Sequence, residues 1–358
     1  MIPYGHQSID QDDIDAVVSV LRGDWLTQGP EIESFEADLS RATSAAFAVA
    51  FSSGTAALHG ACWAAGIGPS DIVATSTLSF VARANCARFV GAEVALVDIE
   101  RGSLNMDLDK VPPKAQALVA VHFAGLPVDL SLLRHRPPVV IEDAAHALGA
   151  STPDGPVGNC AHSDMCCFSF HPVKAVTTGE GGAVTTNDAR LAGRLRRFRN
   201  HGMAKQPERG GWFYDIDALG FNYRLTDLQA ALGRSQLTKL QRFIERRGKL
   251  ATRYRSLLAG SPVGLPPDIP GGGGWIHANH IFPIQVHDRR RIYDALRAAQ
   301  IGVQVHYTPI HHLSLHAAAA GTCPVADEVS ERLLSLPLFP DLSHSQQDTV
   351  IAALLDSI

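Results

Sequence analysis

Lys174 stands in a stretch of small, aromatic and glycine residues that could make its amine reactive. The stretch covers residues 168–182 and has the sequence FSFHPVKAVTTGEGG. A lysine in partly apolar surroundings has a lowered pKa, and its neutral amine can form a Schiff base with an aldehyde. A surface lysine in a glycine-rich turn is the alternative that this segment alone leaves open.

A second segment could bind an anion. Residues 52–58, SSGTAAL, lie between a predicted strand and a predicted helix. The first turn of a helix has free N–H groups and the positive end of its dipole. With Gly54 allowing close approach and Thr55 adding a hydroxyl, this turn could hold a phosphate. A plain helix cap is the alternative.

A third segment places carboxylates at the end of an apolar strand. Residues 139–146, VVIEDAAH, end in Glu142 and Asp143, and His146 follows. A carboxylate at a strand end can hold a cation, and a protonated pyridine nitrogen is one such cation. The two acids could also cap the next helix.

These three segments together are typical of an enzyme that uses pyridoxal 5'-phosphate (PLP). The phosphate of PLP needs a helix start, its ring nitrogen needs a carboxylate to stay protonated, and its aldehyde needs a lysine. A fourth segment, residues 220–229 (GFNYRLTDLQ), crowds polar groups before a long helix. Capping explains Thr226 and Asp227, but it does not explain Asn222 and Arg224.

The elements that must position these residues alternate between strand and helix over roughly the first 240 residues. Strands are predicted at 47–51, 72–75, 94–99, 117–123, 139–142 and 165–170, and helices lie between many of them, for example at 55–65 and 82–90. This alternation predicts a mostly parallel sheet covered by helices. Ligands of such sheets gather at the carboxyl ends of the strands.

The rest of the chain is predicted to form a smaller α+β unit. A helical stretch at 226–256 precedes a Pro/Gly-rich surface loop at 261–274, which contains four consecutive glycines, 271–274. A strand at 281–286, a helix at 289–299, a strand at 303–306 and a helix after Ser343 follow. We therefore expect a large domain over residues 1–245 and a small C-terminal domain over residues 246–358.

Composition excludes several classes of protein. The 358 residues are 46% hydrophobic and 19% charged, which is ordinary globular composition. A net charge of −5 without a basic block argues against a nucleic-acid partner. There is no apolar stretch of about 18 residues that could span a membrane, and the N-terminus does not resemble a signal peptide. Six cysteines without a C-x-x-C pair indicate reduced thiols in a cytoplasmic protein, and no metal site is expected.

Three motifs resemble those of the DegT/DnrJ/StrS family of sugar aminotransferases. They are EDAAHA at 142–147, SFHPVKAVTTGEGG at 169–182 and GFNYRLTDLQAALG at 220–233. The likeness extends from Ile2 to the C-terminus. It implies the fold type I of PLP-dependent transferases, with a large mixed, mostly parallel sheet, helices on both faces and a smaller α+β C-terminal domain. It also implies a homodimer whose two active sites are shared between subunits.

The resemblance implies a role for each matching residue. Lys174 would hold the cofactor and shuttle protons. Lysine at this position favours transamination, because relatives that remove a sugar hydroxyl carry histidine instead. Asp143 would pair with the ring nitrogen, and His146 would lie beside the ring. Gly54, Thr55 and Ser169 would hold the phosphate of the cofactor. Phe80 would stack on the cofactor ring, and Asn222 would reach the phosphate in the partner subunit.

Residues 25–29, 79–82, 84–85 and 304–310 are most similar to enzymes of pseudaminic acid biosynthesis. The implied reaction moves an amino group from L-glutamate to a UDP-linked 4-keto-6-deoxy sugar. Alternatives are an enzyme for another keto sugar, of 4-amino-4-deoxy-L-arabinose, perosamine or dTDP-amino sugar type, or a regulatory PLP-binding protein. Candidate substrate residues are Thr27, Arg224, His306, Tyr307 and His311.

Arg83 departs from the family pattern, since a small residue such as threonine is expected at this position. It could face the site and contact a phosphate or sugar, or face outward without a role. The sequence leaves both readings open, and it leaves open whether His312 contacts substrate.

Overall fold

The computed structural model describes residues 1–269, 273–319 and 323–358, so Gly271 and Gly272 of the predicted loop lie outside the described residues. Within these ranges the α-helices are α1 (Gln11–Arg22), α2 (Pro30–Thr43), α3 (Gly54–Ala64), α4 (Ala82–Phe89), α5 (Ala189–Phe198), α6 (Asp227–Leu237), α7 (Leu240–Leu257), α8 (Arg289–Ala298), α9 (Pro324–Ser330) and α10 (His344–Asp356). Short 3-10 turns connect some of them.

The strands follow the same chain order. They are β1 (Phe47–Phe51), β2 (Ile72–Ser76), β3 (Glu93–Val97), β4 (Ala117–Val121), β5 (Val139–Asp143), β6 (Ser151–Thr152), β7 (Gly155–Pro156), β8 (Met165–Ser169), β9 (Gly182–Thr186), β10 (Met203–Lys205), β11 (Tyr214–Ile216), β12 (Phe282–Gln285) and β13 (Leu333–Leu336). In the described part of the chain, seven of them form the main sheet in the order β1-β9-β8-β5-β4-β2-β3. Only β9 runs antiparallel to its neighbours, so the predicted mostly parallel sheet is confirmed.

Helices cover both faces of this sheet because successive strand side chains point to opposite sides. On β1, Val49 packs in one core with α3, α4 and α5, whereas Ala48 and Ala50 pack in another with α2 and α6. Both cores are apolar, and burial of this surface is the main force that holds the layers together. The predicted architecture of a sheet between two helical layers is confirmed.

The C-terminal residues form a core of their own. It joins Leu250 and Tyr254 of α7 with residues of α8, α10, β12 and β13. Helix α7 also reaches the main core through Ile244, so it links the two parts. The division at residues 245 and 246 falls inside α7 and stays a prediction.

Two predictions for this region are wrong. Residues 303–306 do not form a strand; only an isolated bridge joins Gln304 to Ser335, and β12 pairs with β13 instead. The predicted helix at 226–256 is two helices, α6 and α7, that meet at Thr238 and Lys239. Lys239, which lies at the break, forms ion pairs with Asp10 and Asp13 of the N-terminal segment.

Two further observations concern the class of protein. All six cysteines are free and buried, as the sequence predicts. None of the described helices is both long and apolar enough to cross a membrane. Cytoplasmic location stays a prediction.

Candidate active site

The candidate site lies where the parallel strands end. β1, β5 and β8 run in the same direction, so the residues that follow them meet at one edge of the sheet. A cavity of about 390 Å³ opens there. Of the residues predicted from the sequence, it is lined by Gly54, Thr55, Phe80, Asp143, Ser169, Lys174, His306 and Tyr307.

One end of the cavity is the first turn of α3. Ser53 caps the helix, and its Oγ accepts a hydrogen bond from the Ala56 N–H at 3.1 Å. A Cβ atom added to Gly54 would lie only 2.8 Å from Cβ of Ser169, so glycine is needed for this close approach. The remaining N–H groups of the turn, with the Thr55 and Ser169 hydroxyls, form a cup that suits an anion.

Asp143 and Glu142 face opposite sides of β5, so only one of the two carboxylates can line the cavity. Glu142 points away from the cavity, where its oxygens lie 2.8 Å from Nε2 of His122 and 2.5 Å from Oγ of Ser163. Asp143 is 1% exposed and lines the cavity. Its Oδ1 accepts the N–H of Ala145 at 2.9 Å. Of the two acids at this strand end, Asp143 is therefore the one that lines the cavity.

Lys174 lies in the turn after β8, where its N–H donates to the carbonyl of His171 at 2.9 Å. Burial and, to a smaller extent, the positive charge of Arg83 together lower the pKa of its amine to about 7, against the opposing effect of the Asp143 carboxylate. An ordinary lysine has a pKa near 10.4. The predicted reactive amine thus has the electrostatic setting that its role requires.

The rate at which Lys174 takes up an aldehyde should rise steeply through neutral pH. Only the neutral amine reacts with an aldehyde. With a pKa of about 7, half of the Lys174 amine groups are neutral at pH 7. We expect the rate of PLP uptake by the apoprotein, followed by stopped-flow absorbance, to rise about tenfold per unit below the pKa and to level off above about pH 8. A rate that rises only above pH 9 would contradict this.

A wall of histidine and aromatic side chains closes the other side. The Phe80 ring is 51% exposed and lies 6.1 Å from the ring of Tyr307. Tyr307 Oη lies 3.1 Å from Nε2 of His146, which is buried behind the cavity lining. Burial lowers the pKa of His306 to about 4 and holds that of His146 well below its usual range. These two imidazoles are therefore uncharged at neutral pH, and the charged groups of the site are other side chains.

His280 belongs to this wall and was missed by the sequence reasoning. Its ring lies 4.3 Å from the ring of His146, and it lines the cavity. Burial holds its pKa well below the usual range of histidine. His280 lies shortly before β12, far along the chain from the main motifs, so no local pattern could have indicated it.

Five predicted residues lie outside the cavity lining, namely His146, described above, and Asn222, Thr27, Arg224 and His311. Asn222 and Thr27 are exposed, and Arg224 donates from Nη1 to Oδ1 of Asn200 at 2.7 Å. His311 lies between Thr77 Oγ1, 2.5 Å from its Nδ1, and Asp327 Oδ1, 2.7 Å from its Nε2. Within a single chain these side chains do not reach the cavity, so their substrate and cofactor roles stay predictions.

His311 and His312 share one acidic neighbour, Asp327. Nε2 of His312 lies 2.8 Å from Oδ1 of Asp327, the atom that His311 also approaches. Asp327 is on α9, 16 positions after His311. His311 forms a hydrogen bond with this carboxylate, and His312 is in close contact with it.

Arg83 faces inward, so the outward reading is wrong. It lies on α4, is 4% exposed and forms an ion pair with Asp143 through Nε and Oδ2. Both groups line the same cavity. Arg83, which departs from the family pattern, therefore contacts the acid that the pattern assigns to the ring nitrogen.

Comparison with known proteins agrees with this geometry. The DegT/DnrJ/EryC1/StrS aminotransferase family matches residues 7–355. The chain belongs to this family. Because relatives and structural neighbours of this family are sugar aminotransferases, the chain is a sugar aminotransferase. Its fold, with TM-scores near 0.9 to such enzymes, confirms the predicted architecture.

Two relatives and two solved structures illustrate the likeness. The chain is 35% identical to the spore coat polysaccharide biosynthesis protein SpsC of Bacillus subtilis (100% of this chain, 97% of that one). It is 33% identical to UDP-4-amino-4-deoxy-L-arabinose–oxoglutarate aminotransferase of Shewanella sediminis (100% and 98%). Helicobacter pylori PseC, involved in the biosynthesis of pseudaminic acid, superposes with a TM-score of 0.91 at 28% identity (99% and 98%).

Spr1654 of Streptococcus pneumoniae has been solved in PLP and PMP forms. The PMP form superposes with a TM-score of 0.92 at 28% identity, covering 100% of this chain and 99% of that one. The PLP form gives a TM-score of 0.90 at 27% identity. The cofactor expected from the sequence agrees with these structures.

Proposed function

We propose that this enzyme transfers the amino group of L-glutamate to a UDP-linked 4-keto-6-deoxy sugar in pseudaminic acid biosynthesis, with PLP as its cofactor. The observation that carries the chemistry is the single cavity that joins Lys174, Asp143 and the first turn of α3. The likeness to PseC supports the sugar. The name of the Shewanella relative, an oxoglutarate aminotransferase, supports glutamate as donor.

The residues present fit PLP. The α3 cup at Gly54, Thr55 and Ser169 suits its phosphate, and the buried Oδ2 of Asp143 offers an acceptor to a ring nitrogen. Phe80 exposes an aromatic face to the cavity between them. When bound, PLP supplies an aldehyde for amine exchange and a ring that withdraws electrons from the reacting carbon.

Lys174 is proposed to act twice. Its amine would hold the cofactor until the amine of glutamate displaces it, and it would then move the proton from Cα of glutamate to C4′ of the cofactor. In the second half of the reaction it would move a proton from C4′ to the sugar carbon that carried the keto oxygen. Proton transfer by a positioned group contributes about 10²–10⁴ in rate, and a pKa of about 7 suits both directions.

The protein is proposed to act as a homodimer with shared sites. Apolar side chains are exposed on the segment before Asn222, where Trp212 is 82% and Leu219 is 78% exposed. Exposed apolar patches mark interaction surfaces. Asn222 and Arg224 follow that segment, outside their own cavity, and a second subunit would bring them toward a partner's site.

His146, beside the ring, would help to position Tyr307.

The sugar is tested by a panel of keto-sugar nucleotides with L-glutamate, with products identified by mass spectrometry. We expect the UDP-linked 4-keto-6-deoxy-N-acetyl sugar of pseudaminic acid biosynthesis to be aminated with the highest kcat/KM. If the 4-keto-arabinose nucleotide is aminated with the highest kcat/KM instead, the enzyme is of the 4-amino-4-deoxy-L-arabinose type named for the Shewanella relative. Preference for a dTDP- or GDP-linked sugar would overturn both.

A further inference from the structure

Arg247 of α7 is a buried guanidinium that, among the described residues, bonds only to backbone carbonyls. It is 1% exposed, and its Nη1 donates to the carbonyl of His280 at 3.1 Å and to that of Leu338 at 2.9 Å. Burial lowers its pKa to about 10, and no carboxylate of the described ranges opposes this effect. A buried charge without a counter-ion is costly, so its bonds to these carbonyls must be well made.

Both carbonyls belong to segments that carry lining residues of the cavity. The side chain of His280 lines the cavity, and its N–H donates to the carbonyl of Ala124 at 2.9 Å. The N–H of Leu338 donates to the carbonyl of Tyr4 at 3.0 Å, and Tyr4 also lines the cavity. One guanidinium therefore fixes the backbone behind two lining side chains that are far apart in sequence.

These two side chains flank the aromatic part of the cavity wall. The ring of Tyr4 lies 5.6 Å from the ring of His306. The ring of His280 packs at 4.3 Å against the imidazole that approaches Oη of Tyr307. Arg247 thus lies behind both sides of this wall, although its own side chain is not part of the lining.

We propose that Arg247 is a positioning residue that holds this wall, through the backbone of His280 and Leu338, in the shape that binds the amino donor. The proposal rests on the proposed function, because the donor named there is the ligand that would occupy the cavity beside the cofactor. A guanidinium suits this task, since its donors stay charged and fixed in direction. A misplacement of about 1 Å caused by a distant residue can cost about 10²-fold, so an anchor outside the cavity can govern binding inside it.

The competing explanation is that Arg247 only stabilises the C-terminal core. Two variants address it: Arg247→Gln removes the charge, and Arg247→Lys keeps the charge on a shorter side chain. Arg246→Gln is a matched control on the same helix. Arg246 also donates to carbonyls of the segment after β13, those of Pro340 at 3.2 Å and Leu342 at 2.7 Å, but neither of these residues lines the cavity.

The experiment follows the glutamate half-reaction of the PLP-loaded wild type and the three variants over a range of L-glutamate concentrations, by single-turnover absorbance. We expect Arg247→Gln to raise the half-saturating concentration about tenfold or more while the limiting rate stays within about threefold, because Lys174 is untouched. Arg247→Lys should give a smaller rise, and Arg246→Gln should match the wild type. An unchanged half-saturating concentration in Arg247→Gln, or an equal rise in Arg246→Gln, overturns the proposal.

Hydrogen exchange of the apoproteins, followed by mass spectrometry, examines the wall without substrate. Peptides that contain the amides of His280 and Leu338 should exchange faster in Arg247→Gln than in the wild type or Arg246→Gln. Unchanged exchange overturns this inference alone, whereas a wild type that binds PLP but does not respond to glutamate overturns the proposed function and this inference with it. If Arg247→Gln does not fold, Arg247→Lys decides, and wild-type half-saturation together with wild-type exchange in that variant overturns the proposal.

Discussion

Replacing Lys174 with alanine is expected to lower the rate of the glutamate half-reaction by about 10²–10⁴-fold or more, because the variant loses its proton-transfer group. The amine of Lys174 is the only lysine amine that lines the described cavity, so no second lysine there can take over the proton transfer. The rate is measured as the single-turnover change in PLP absorbance on adding L-glutamate. The fold should survive, since alanine leaves no unpaired charge.

Lys114→Ala serves as the control, because Lys114 is exposed and distant from the cavity lining. It should retain the wild-type rate and PLP content. Added alkylamines should restore part of the activity of Lys174→Ala if the missing function is proton transfer by an amine. A Lys174→Ala protein with the wild-type rate would contradict the catalytic assignment.

Replacing Asp143 with asparagine is expected to affect stability and activity together. The change leaves the buried guanidinium of Arg83 without a charged partner, and breaking such a pair costs about 3–5 kcal/mol. Loss of the charge opposite the ring nitrogen should lower the half-reaction rate by about 10²–10³-fold, the usual cost of removing one preorganised electrostatic group. Denaturant unfolding of the apoprotein measures the first effect and single-turnover absorbance the second.

A double-mutant cycle separates these two effects. Combining Asp143→Asn with Arg83→Gln removes both charges, so the double variant should recover stability relative to the sum of the single changes. Activity should not recover, because the double variant has no carboxylate at the site. Strictly additive stability losses would show that the two side chains do not interact.

The strand ends that surround the candidate site could be predicted from the sequence, whereas some of the elements around it could not. Strand ends at residues 51, 143 and 169 are marked by apolar runs that stop at polar residues, and parallel strands bring such ends to one edge. β9 was not predicted, because GAVTT continues from a glycine-rich turn and has little to distinguish it as a strand. Its pairing between β1 and β8 is a long-range property of the sheet.

The errors share one physical cause, which is contact between parts of the chain that are distant in sequence. At the break between α6 and α7, Lys239 pairs with Asp10 and Asp13, more than 220 positions away, and a local helical pattern contains no sign of this contact. The direction of Arg83 depends on where α4 packs against β5, and no local pattern contains this information. His280 enters the site for the same reason.

The central claim, that this sugar aminotransferase uses PLP on Lys174 to accept an amino group from glutamate, is tested most directly by one absorbance measurement. The spectrum of the purified protein with PLP is recorded before and after L-glutamate is added without any sugar. We predict that the visible-edge band of the lysine-bound cofactor gives way to a band at shorter wavelength. A bound cofactor whose spectrum does not respond to glutamate would contradict the claim.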